Sequence, residues 1–417
     1  MSPKSCGIDF GTSNSALALA HGREVRLAQL EAGEVTMPSA VFFNADEKRA
    51  TFGREAIAQY LDGYTGRLMR SLKSILGSDL ITEATQIGNQ RLYFRDIIGL
   101  FIRHMKTVAE KEAGQSIDHV VMGRPVFFVD DDPVADLRAQ TELEGIARAQ
   151  GFKDVSFEYE PLAAARDYES AITKEELVLI CDIGGGTSDF SVIRLSPAAR
   201  EKADRSSDIL GNSGVHIGGT DFDRQFSLDS VMPHMGYKTM LNRGLAMPMN
   251  FYLMLSTWHL INQLYIQKNL IAIRSLRQDA IEKDLVERLI STVEHQRGHE
   301  VASQVEAAKI ALSDAKKTKM DFGFVEKGWA LNLTQADLVR AITRDVSRIC
   351  EKAKQTVLES GLQPDKIETV FMTGGSTGLP GFEKQIAALF PKARIVLGDR
   401  FSSVSKGLGL AAAERYL

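Results

Sequence analysis

Val178 to Leu195 reads VLICDIGGGTSDFSVIRL, in which two apolar, β-branched runs flank Asp182, the glycines Gly184, Gly185 and Gly186, then Thr187 and Asp189. Apolar runs on either side of a glycine cluster predict a β-hairpin. An ordinary tight hairpin needs one or two residues at positive φ, so three glycines among hydroxyls and carboxylates exceed what the turn requires. Consecutive backbone N–H groups free to converge make an anion-binding nest. Glycines let the backbone reach phosphate oxygens, and Thr or Ser adds hydroxyl donors. The stretch CGIDFGTSNSALALA, Cys6 to Ala20, repeats the arrangement: a strand ending in Asp9, a turn of Gly11, Thr12, Ser13 and Asn14, and a second strand. Two carboxylates beside a polyphosphate would repel it. A hydrated Mg²⁺ between them reverses the sign, since Mg²⁺ keeps its waters and tolerates one or two carboxylates plus phosphates. Neither turn matches GxxxxGK[ST] or GxGxxG. Alone, DIGGGTSD could equally be a flexible hairpin tip. As a pair, the turns point to the phosphates of a nucleotide. A third glycine loop, VFMTGGSTGLPGF from Val370 to Phe382, follows a strand and enters a helix, a place for ribose or phosphate at a helix N-terminus.

The elements that must position these turns also come twice. After the first hairpin the pattern predicts a third strand (residues 24–30), a long helix (96–112), strand HVVMGRP, a helix (134–150), strand VSFEYEP and a helix (162–169). After the second it predicts strand GVHI, a long helix (336–359), strand TVFMTGG, a helix (382–390), strand RIVLG and a helix (403–416). Both halves spell βββαβαβα. Ile97, Phe101, Met105 and Val108 share one helical stripe. TQAD at Thr334–Asp337 reads as a capping box, and Gly361 with Pro364 beyond it closes that helix. Each half carries an insertion before its long helix, about 39–95 in the first and 222–333 in the second. The expectation is two lobes across a cleft, 1–171 and 172–402, with the C-terminal helix 403–417 packing back on the first.

A chain of 417 residues exceeds one ordinary core. Its 44% hydrophobic and 25% charged content is that of a globular protein, and a net charge of −4 shows no electrostatic footprint for nucleic acid. DDD at Asp130–Asp132 and KKTK at Lys316–Lys319 read as solvated loops. Cys6, Cys181 and Cys350 are odd in number and lack CxxC spacing, which suggests reduced thiols in the cytoplasm. No apolar signal region precedes the first strand. The most membrane-like stretch, Asn250 to Ile271, is interrupted by polar residues well short of the ~20 apolar residues of a span.

These residues resemble the actin, sugar-kinase and heat-shock ATPase superfamily, and most closely the nucleotide-binding domain of the seventy-kilodalton heat-shock chaperones. GIDFGTSNS looks like that family's first phosphate loop, DIGGGTSDFS its second and TGGSTGLP its adenosine loop. EYEPLAAARDY resembles the connecting stretch, HIGGTDFD the entry to the smaller subdomain of the second lobe, LKSILG the loop of the catalytic lysine and VEAAKIALS the helix beside adenosine. The matches run in order from Gly7 to about Gly409. The resemblance implies an α/β fold of duplicated ribonuclease H-like lobes, the actin-like ATPase fold, with an inserted subdomain in each lobe and a central nucleotide cleft.

The resemblance also implies roles. Asp9 and Asp182 would bind Mg²⁺ through water. Gly11, Thr12, Ser13, Asn14, Gly184, Gly185, Gly186, Thr187, Gly218 and Gly219 would hold phosphates. Lys73 would stabilise the transferred phosphoryl group, with Glu160, Asp189 and Thr187 positioning or deprotonating water. Glu306, Lys309 and Ser313 would contact the nucleoside, with Gly374, Gly375 and Ser376 against sugar and phosphate. Without the family, Lys73 reads as a solvated helix residue, Glu160 as a strand end, and Asp221 and Asp223 as carboxylates suited to a helix N-terminus.

Two features depart from the pattern. The adenine-flanking arginines are replaced by Ile310 and Gly378, forfeiting roughly 0.5–2 kcal/mol each and leaving purine selectivity open. The second insertion, chiefly 225–300, is long and rich in Met and aromatics, a composition more often core than docking surface. The expectation is a protein without a peptide-binding domain or lid after the last helix. The pattern looks like truncated, chaperone-like YegD-type members. The expected activity is slow, Mg²⁺-dependent ATP hydrolysis that switches the angle between lobes, read by an unidentified protein partner or client, with neither nucleic acid nor membrane as a partner. The alternatives are a small-molecule, sugar-like kinase and a non-catalytic nucleotide sensor or filament protein.

Overall fold

The computed structural model describes residues 5–22, 24–88, 90–129, 132–202, 205–399 and 402–416. The chain opens with strands β1 (Ser5–Phe10), β2 (Asn14–His21), β3 (Glu24–Leu27) and β4 (Thr36–Pro38). A first insertion supplies β5 (Ala40–Asn44), β6 (Arg49–Phe52), helix α1 (Gly53–Leu61), β7 (Gly66–Arg70), β8 (Ala84–Ile87) and β9 (Gln90–Tyr93). Then come α2 (Phe94–Ala113), β10 (His119–Arg124), α3 (Pro133–Ala149), β11 (Asp154–Tyr159) and α4 (Glu160–Ala171).

The second half starts with β12 (Glu176–Ile183), β13 (Ser188–Leu195) and β14 (Ile209–Val215). Its insertion is mainly helical: α5 (Gly219–Ser230), α6 (Met249–Ser256), α7 (Ile261–Leu264), α8 (Gln267–Asp279), α9 (Lys283–Glu294) and α10 (Gly298–Asp314), then the hairpin β15 (Lys317–Asp321) and β16 (Ala330–Thr334). The chain ends through α11 (Gln335–Glu359), β17 (Thr369–Thr373), α12 (Phe382–Leu389), β18 (Arg394–Leu397) and α13 (Ser403–Arg415).

The two main sheets share one topology. The first runs β11-β10-β1-β2-β3, with β4 added beside β2; the second runs β18-β17-β12-β13-β14. In each, an antiparallel trio continues into two parallel strands that need crossover helices. The duplicated actin-like frame expected from sequence is therefore present.

Alternation along the strands sorts the faces. Cys6, Ile8 and Phe10 join the core under α2 and α3, while Leu179, Cys181 and Ile183 join the core that continues into the second insertion. The opposite faces pack on two small-residue helices. Val121 and Ala20 of the first sheet and Val178, Ile180 and Ile193 of the second meet Ala163, Ala164 and Ala165 of α4 and Leu408, Ala411, Ala412 and Ala413 of α13. The fit is close: a Cβ on Gly407 would lie 1.9 Å from the Ala163 carbonyl oxygen, and one on Gly7 would lie 2.3 Å from the Gly409 nitrogen.

Local signals explain most boundaries. Ile97, Phe101 and Met105 are buried along α2, whose C-cap Gly114 is left-handed. Thr334 and Asp337 form the capping box of α11, and Gly361 beyond its end has φ +78°. Several expectations needed correction. The third strand of the second half lies at Ile209–Val215 rather than at GVHI, because its register against β13, with a bulge at Val192/Ile193, outweighs the turn-like Gly and Asn residues. Lys317–Lys319 belong to β15, where hairpin pairing overrides the charge run. Asp132 is no bystander: its side chain accepts from Val134 N and Ala135 N and caps α3, while Asp130 and Asp131 lie outside the described residues. Glu160 opens α4 instead of ending a strand. Most of the Met- and aromatic-rich stretch is core, including Met232, Met235, Met247, Phe251 and Tyr252, but Met240, Leu245 and Met249 are exposed. Cys6, Cys181 and Cys350 are free and buried, which raises each thiol above its ordinary value. No helix among the described residues is long and apolar enough to cross a membrane.

The close seat of α13 on α4 is testable. Gly407→Ala forces a methyl against a backbone carbonyl that cannot yield, at a cost of about 1–3 kcal/mol. Gly145 in α3 has open space around its missing Cβ, so Gly145→Ala should be neutral or gain about 0.5–1 kcal/mol. Equal thermal midpoints for the two variants would refute the packing argument.

Candidate functional site

Strand register delivers the acidic residues. Asp9 shares the inner face of β1 with Gly7, above α13; Asp182 shares the inner face of β12 with Val178 and Ile180. Both therefore look into the space between the sheets, beyond the α4/α13 pair. Asp182 is the register partner of Asp189 on β13 and of Thr373 on β17. Like charges directly opposed across a strand pair are destabilising, and the neighbouring backbone makes room for them. A Cβ on Gly374 (φ +91°) would lie 2.4 Å from Asp182 Oδ1, and one on Gly214 would lie 2.7 Å from Asp189 Oδ1.

Lys73 enters from the first insertion. Ser71 adopts a left-handed conformation (φ 57°, ψ 35°) between β7 and the single turn Leu72–Ile75, and this kink turns the lysine inward. Its Nζ donates to Glu160 Oε1 at 2.5 Å, with both side chains largely buried. The local field is dominated by carboxylates. Burial, then Asp189, Glu160 and Asp9, push Asp182 up to about 8. Burial and Glu160 also hold Asp9 well above the usual carboxylate range, with Lys73 opposing them. Burial pulls Lys73 down, but Glu160 and Asp9 outweigh it and leave the ammonium above its ordinary value. One lysine faces four carboxylates, so the donor set lacks positive charge. Among the described residues no three His, Cys, Asp or Glu side chains are grouped to hold a metal directly.

The glycine turns meet. A Cβ on Gly185 would lie 1.9 Å from Ser13 Oγ, so the second turn rests against the first. Ser39 pins the first turn, donating through its hydroxyl to the Gly11 carbonyl at 2.7 Å and through its N–H to Ser13 O at 2.9 Å. The start of α5 pins the second: Gly219 N donates to Gly184 O at 3.0 Å and Thr220 N to Gly185 O at 2.7 Å. Ser376 Oγ, in the turn Gly375–Gly378, donates to Gly184 O at 3.2 Å. Thr187 Oγ1 donates to Asp189 Oδ2 at 2.9 Å. Asn14 is exposed at the start of β2, its carbonyl crowding the place of a Cβ on Gly11.

The residues that the resemblance sets beside a nucleoside come from α10. Lys309 Nζ donates to Asp223 Oδ2 at 2.8 Å and to the Gly219 carbonyl at 3.1 Å. Asp223 is thus an ion-pair partner and not merely a carboxylate at a helix start. Asp221 does cap α5, accepting from Gly218 N at 3.0 Å. The Ser313 hydroxyl donates to the Lys309 carbonyl of its own helix at 3.3 Å. Glu306 is exposed and acts electrostatically on Arg70 of β7. Arg70, Ser39 and Thr220 escaped the sequence reading because each is an ordinary surface residue type whose neighbours come from distant segments. Two hollows flank the site. One of about 100 Å³ is lined by Glu160, Asp182, Thr187 and Asp189 together with Phe127 and Asn212. A second of about 200 Å³ runs along Thr377–Gly381 to Leu397, beside Gly378. Ile310 is 59% exposed and presents an apolar surface where the resemblance would place an arginine.

A family model described as Hsp70 protein matches residues 5–238 and 286–407, well over half of the chain. The chain belongs to the Hsp70 family. Its two glycine turns, Lys73, Glu160 and the third glycine loop all fall inside the Hsp70 match. The family comprises nucleotide-binding, chaperone-like ATPases whose members bind ATP or ADP, generally with Mg²⁺. Residues 239–285, within the second insertion, lie between the two matched stretches.

The crowding of carboxylates predicts a pH signature. Asp182 binds its proton more tightly in the folded chain than in the unfolded one, where it has its ordinary value near 3.8. Stability therefore falls as pH rises from about 4 toward 8. Asp182→Asn removes that term and should melt roughly 2–4 °C above wild type at pH 8 in chelator-treated buffer, with the gap closing toward pH 5. A constant or reversed gap would contradict the assigned electrostatics.

Proposed function

We propose that this chain is a Mg²⁺-dependent ATP-binding protein with slow ATPase activity, in which the nucleotide sets the separation of two lobes. The lobes would be 1–171, including the C-terminal helix, and 172–402. The observation that carries this reading is the contact of the two glycine turns, Ser13 against Gly185, over four carboxylates and one lysine.

The N–H groups of Gly185 and Gly186, with those of Gly11 to Asn14 and the Thr12 and Ser13 hydroxyls, would receive β- and γ-phosphates from opposite sides, while the Gly184 N–H and the Thr187 hydroxyl hold the second turn, donating to Thr187 O and Asp189 Oδ2. Asp9 and Asp182 would hold a hydrated Mg²⁺ through water, and the ion would supply the positive charge that a triphosphate needs beside these carboxylates. Lys73, kept cationic by Glu160 and Asp9, stabilises charge on the phosphoryl group. Asp189 orients the attacking water and takes its proton, with the Thr187 hydroxyl fixing the carboxylate rotamer and Glu160 holding Lys73 in place. Lys309, braced by Asp223, and Glu306 meet the nucleoside, with Gly218, Gly219, Gly374, Gly375 and Ser376 forming the backbone cradle. Loss of the γ-phosphate removes the contacts that bridge the turns and loosens closure, as in other phosphate-ordered switches.

Water is favoured over a sugar as acceptor. The hollow of about 100 Å³ beside Asp189 has room for several waters, whereas small-molecule sites are commonly ~300 Å³ or more. A protein partner would read the lobe separation through the 225–300 insertion, where Met240, Leu245, Met249 and Ile281 are exposed. Three unpaired, buried thiols suit a reducing, cytoplasmic compartment.

Lys73→Ala or Asp189→Asn should reduce phosphate release by about 10²-fold or more while leaving the circular dichroism spectrum unchanged. Labelled γ-phosphate should appear in water, and its transfer to added polyols would favour the kinase instead. Binding of ATP without turnover by wild type would favour a sensor. Restoring a cation with Ile310→Arg should tighten ATP binding by roughly 2- to 30-fold, measured calorimetrically. An unchanged affinity would remove Ile310 from the nucleobase site.

A further inference from the structure

A cluster outside the phosphate site joins the two insertions directly. Tyr60 of α1 and Arg70 of β7 come from the first; Trp258, Asn262 and His299 come from the second. Tyr60 Oη donates to Asn262 Oδ1 at 2.9 Å and lies 2.9 Å from His299 Nε2. A phenol that donates to Asn262 must accept from histidine, which puts the imidazole proton on Nε2. That Nε2 also lies 3.4 Å from Asn262 Oδ1. The His299 ring packs edge-on against Tyr60, with centroids 4.9 Å apart, and tilted against Trp258 at 4.7 Å. The Arg70 guanidinium lies over Trp258, 4.8 Å from the ring centroid. His299 is only 6% exposed, and its Nδ1 is buried without a hydrogen-bond partner.

We propose that Tyr60, Arg70, Trp258, Asn262 and His299 form a proton-sensitive clasp across the mouth of the nucleotide cleft, closed while His299 is neutral and opened, with release of nucleotide, when Nδ1 takes a proton. The clasp rests on the nucleotide reading above for its consequence but not for its geometry. Trp258 and Asn262 fall in residues 239–285, between the stretches that match the family, so two of the five clasp residues come from the unmatched part of the insertion.

The charges around His299 favour the neutral form. Arg70 of β7 faces it as a cation; Tyr60 of α1 is an uncharged phenol; and Tyr265, beyond α7, accepts from Gly298 N. On its own helix Glu300 is paired with Arg297, while Glu306 and Asp223 act on Arg70. A proton on Nδ1 would place a charged donor with no acceptor in a buried site beside a guanidinium. Burial first, then Arg70, accordingly hold His299 down at about 4.

The sign follows. In the open form His299 regains its ordinary value near 6.5, so the open form binds the proton more tightly. The closed form is favoured fully above that value and progressively less as pH falls from 6.5 toward 4. For one such group the closed-to-open ratio drops about tenfold between pH 7.5 and 5.5. The clasp also reaches the chemistry, because Arg70 precedes Lys73 by three residues on the same segment.

The chain has two tryptophans, so Trp329→Phe leaves Trp258 as the single emitter. In that background without nucleotide, Trp258 emission should titrate between pH 4 and 7, and the transition should vanish in His299→Gln. Release of a fluorescent ADP analogue, chased with ATP, should accelerate roughly tenfold from pH 7.5 to 5.5 in wild type and less than twofold in His299→Gln. At pH 7.5 the mild Tyr60→Phe and the stronger Arg70→Ala should each speed release several-fold, with single-turnover hydrolysis in Tyr60→Phe within twofold of wild type. A flat Trp258 titration, an unchanged pH slope in His299→Gln, or unaltered release in Tyr60→Phe would overturn the clasp. A protein that shows the Trp258 transition yet fails to bind the ADP analogue would support the clasp and overturn the nucleotide reading.

Discussion

Four carboxylates held around one lysine are the constraint on which the molecule turns. Left in water, Asp9, Glu160, Asp182 and Asp189 would move apart. Here strand register fixes Asp182 opposite Asp189, and the α4/α13 layer fixes the distance between the sheets that carry Asp9 and Asp182. The fold spends stability to hold negative charge where it repels itself, and the result is a site that gains by taking in a cation and an anion together. This is a common bargain at functional sites, where perturbed titration follows from burial and like charges.

Holding such a cluster requires a stiff base. The two sheets both pack on a pair of alanine- and glycine-rich helices whose backbones approach as closely as side chains permit. The seam at the base is closely packed and apolar, and the insertions meet away from it. There the contacts change character. Instead of close-packed methyl groups, the insertions meet through a phenol, an amide, an indole, an imidazole and a guanidinium. Polar contacts of this kind can exchange for water at modest cost, whereas the alanine seam cannot. The same molecule thus sets close apolar packing beneath the charges and polar, exchangeable contacts between the insertions.

The metal and the nucleotide are the parts of this picture contributed by family membership and by the chemistry of the donor set. On the proposed reading, Ile310 and Gly378 would stand beside the nucleobase where the resemblance places guanidinium groups. Arg70, reaching over from the other half toward Glu306 and Asp223, supplies a cation in the same region from a different element.

Much of the frame was legible in the chain alone. The repeated βββαβαβα order, the two aspartate-ending strands, the glycine turns and the capping box at Thr334 are local patterns, and local patterns survive in a one-dimensional string because period and turn chemistry act over a few residues. What the string could not hold was anything set by pairing between distant segments. The third strand at Ile209–Val215 is a strand because β13 binds it; Lys317–Lys319 are extended because β16 lies alongside; Asp223 is an ion-pair partner because α10 returns to meet α5. The clasp is the extreme case: Tyr60 and His299 are separated by 239 positions and neither sits in a motif. Residue types and short-range spacing therefore determined the chemistry available to this protein. Only tertiary structure decided which of those groups stand close enough to feel one another, because electrostatic and hydrogen-bond energies depend on distances in space that sequence separation does not encode.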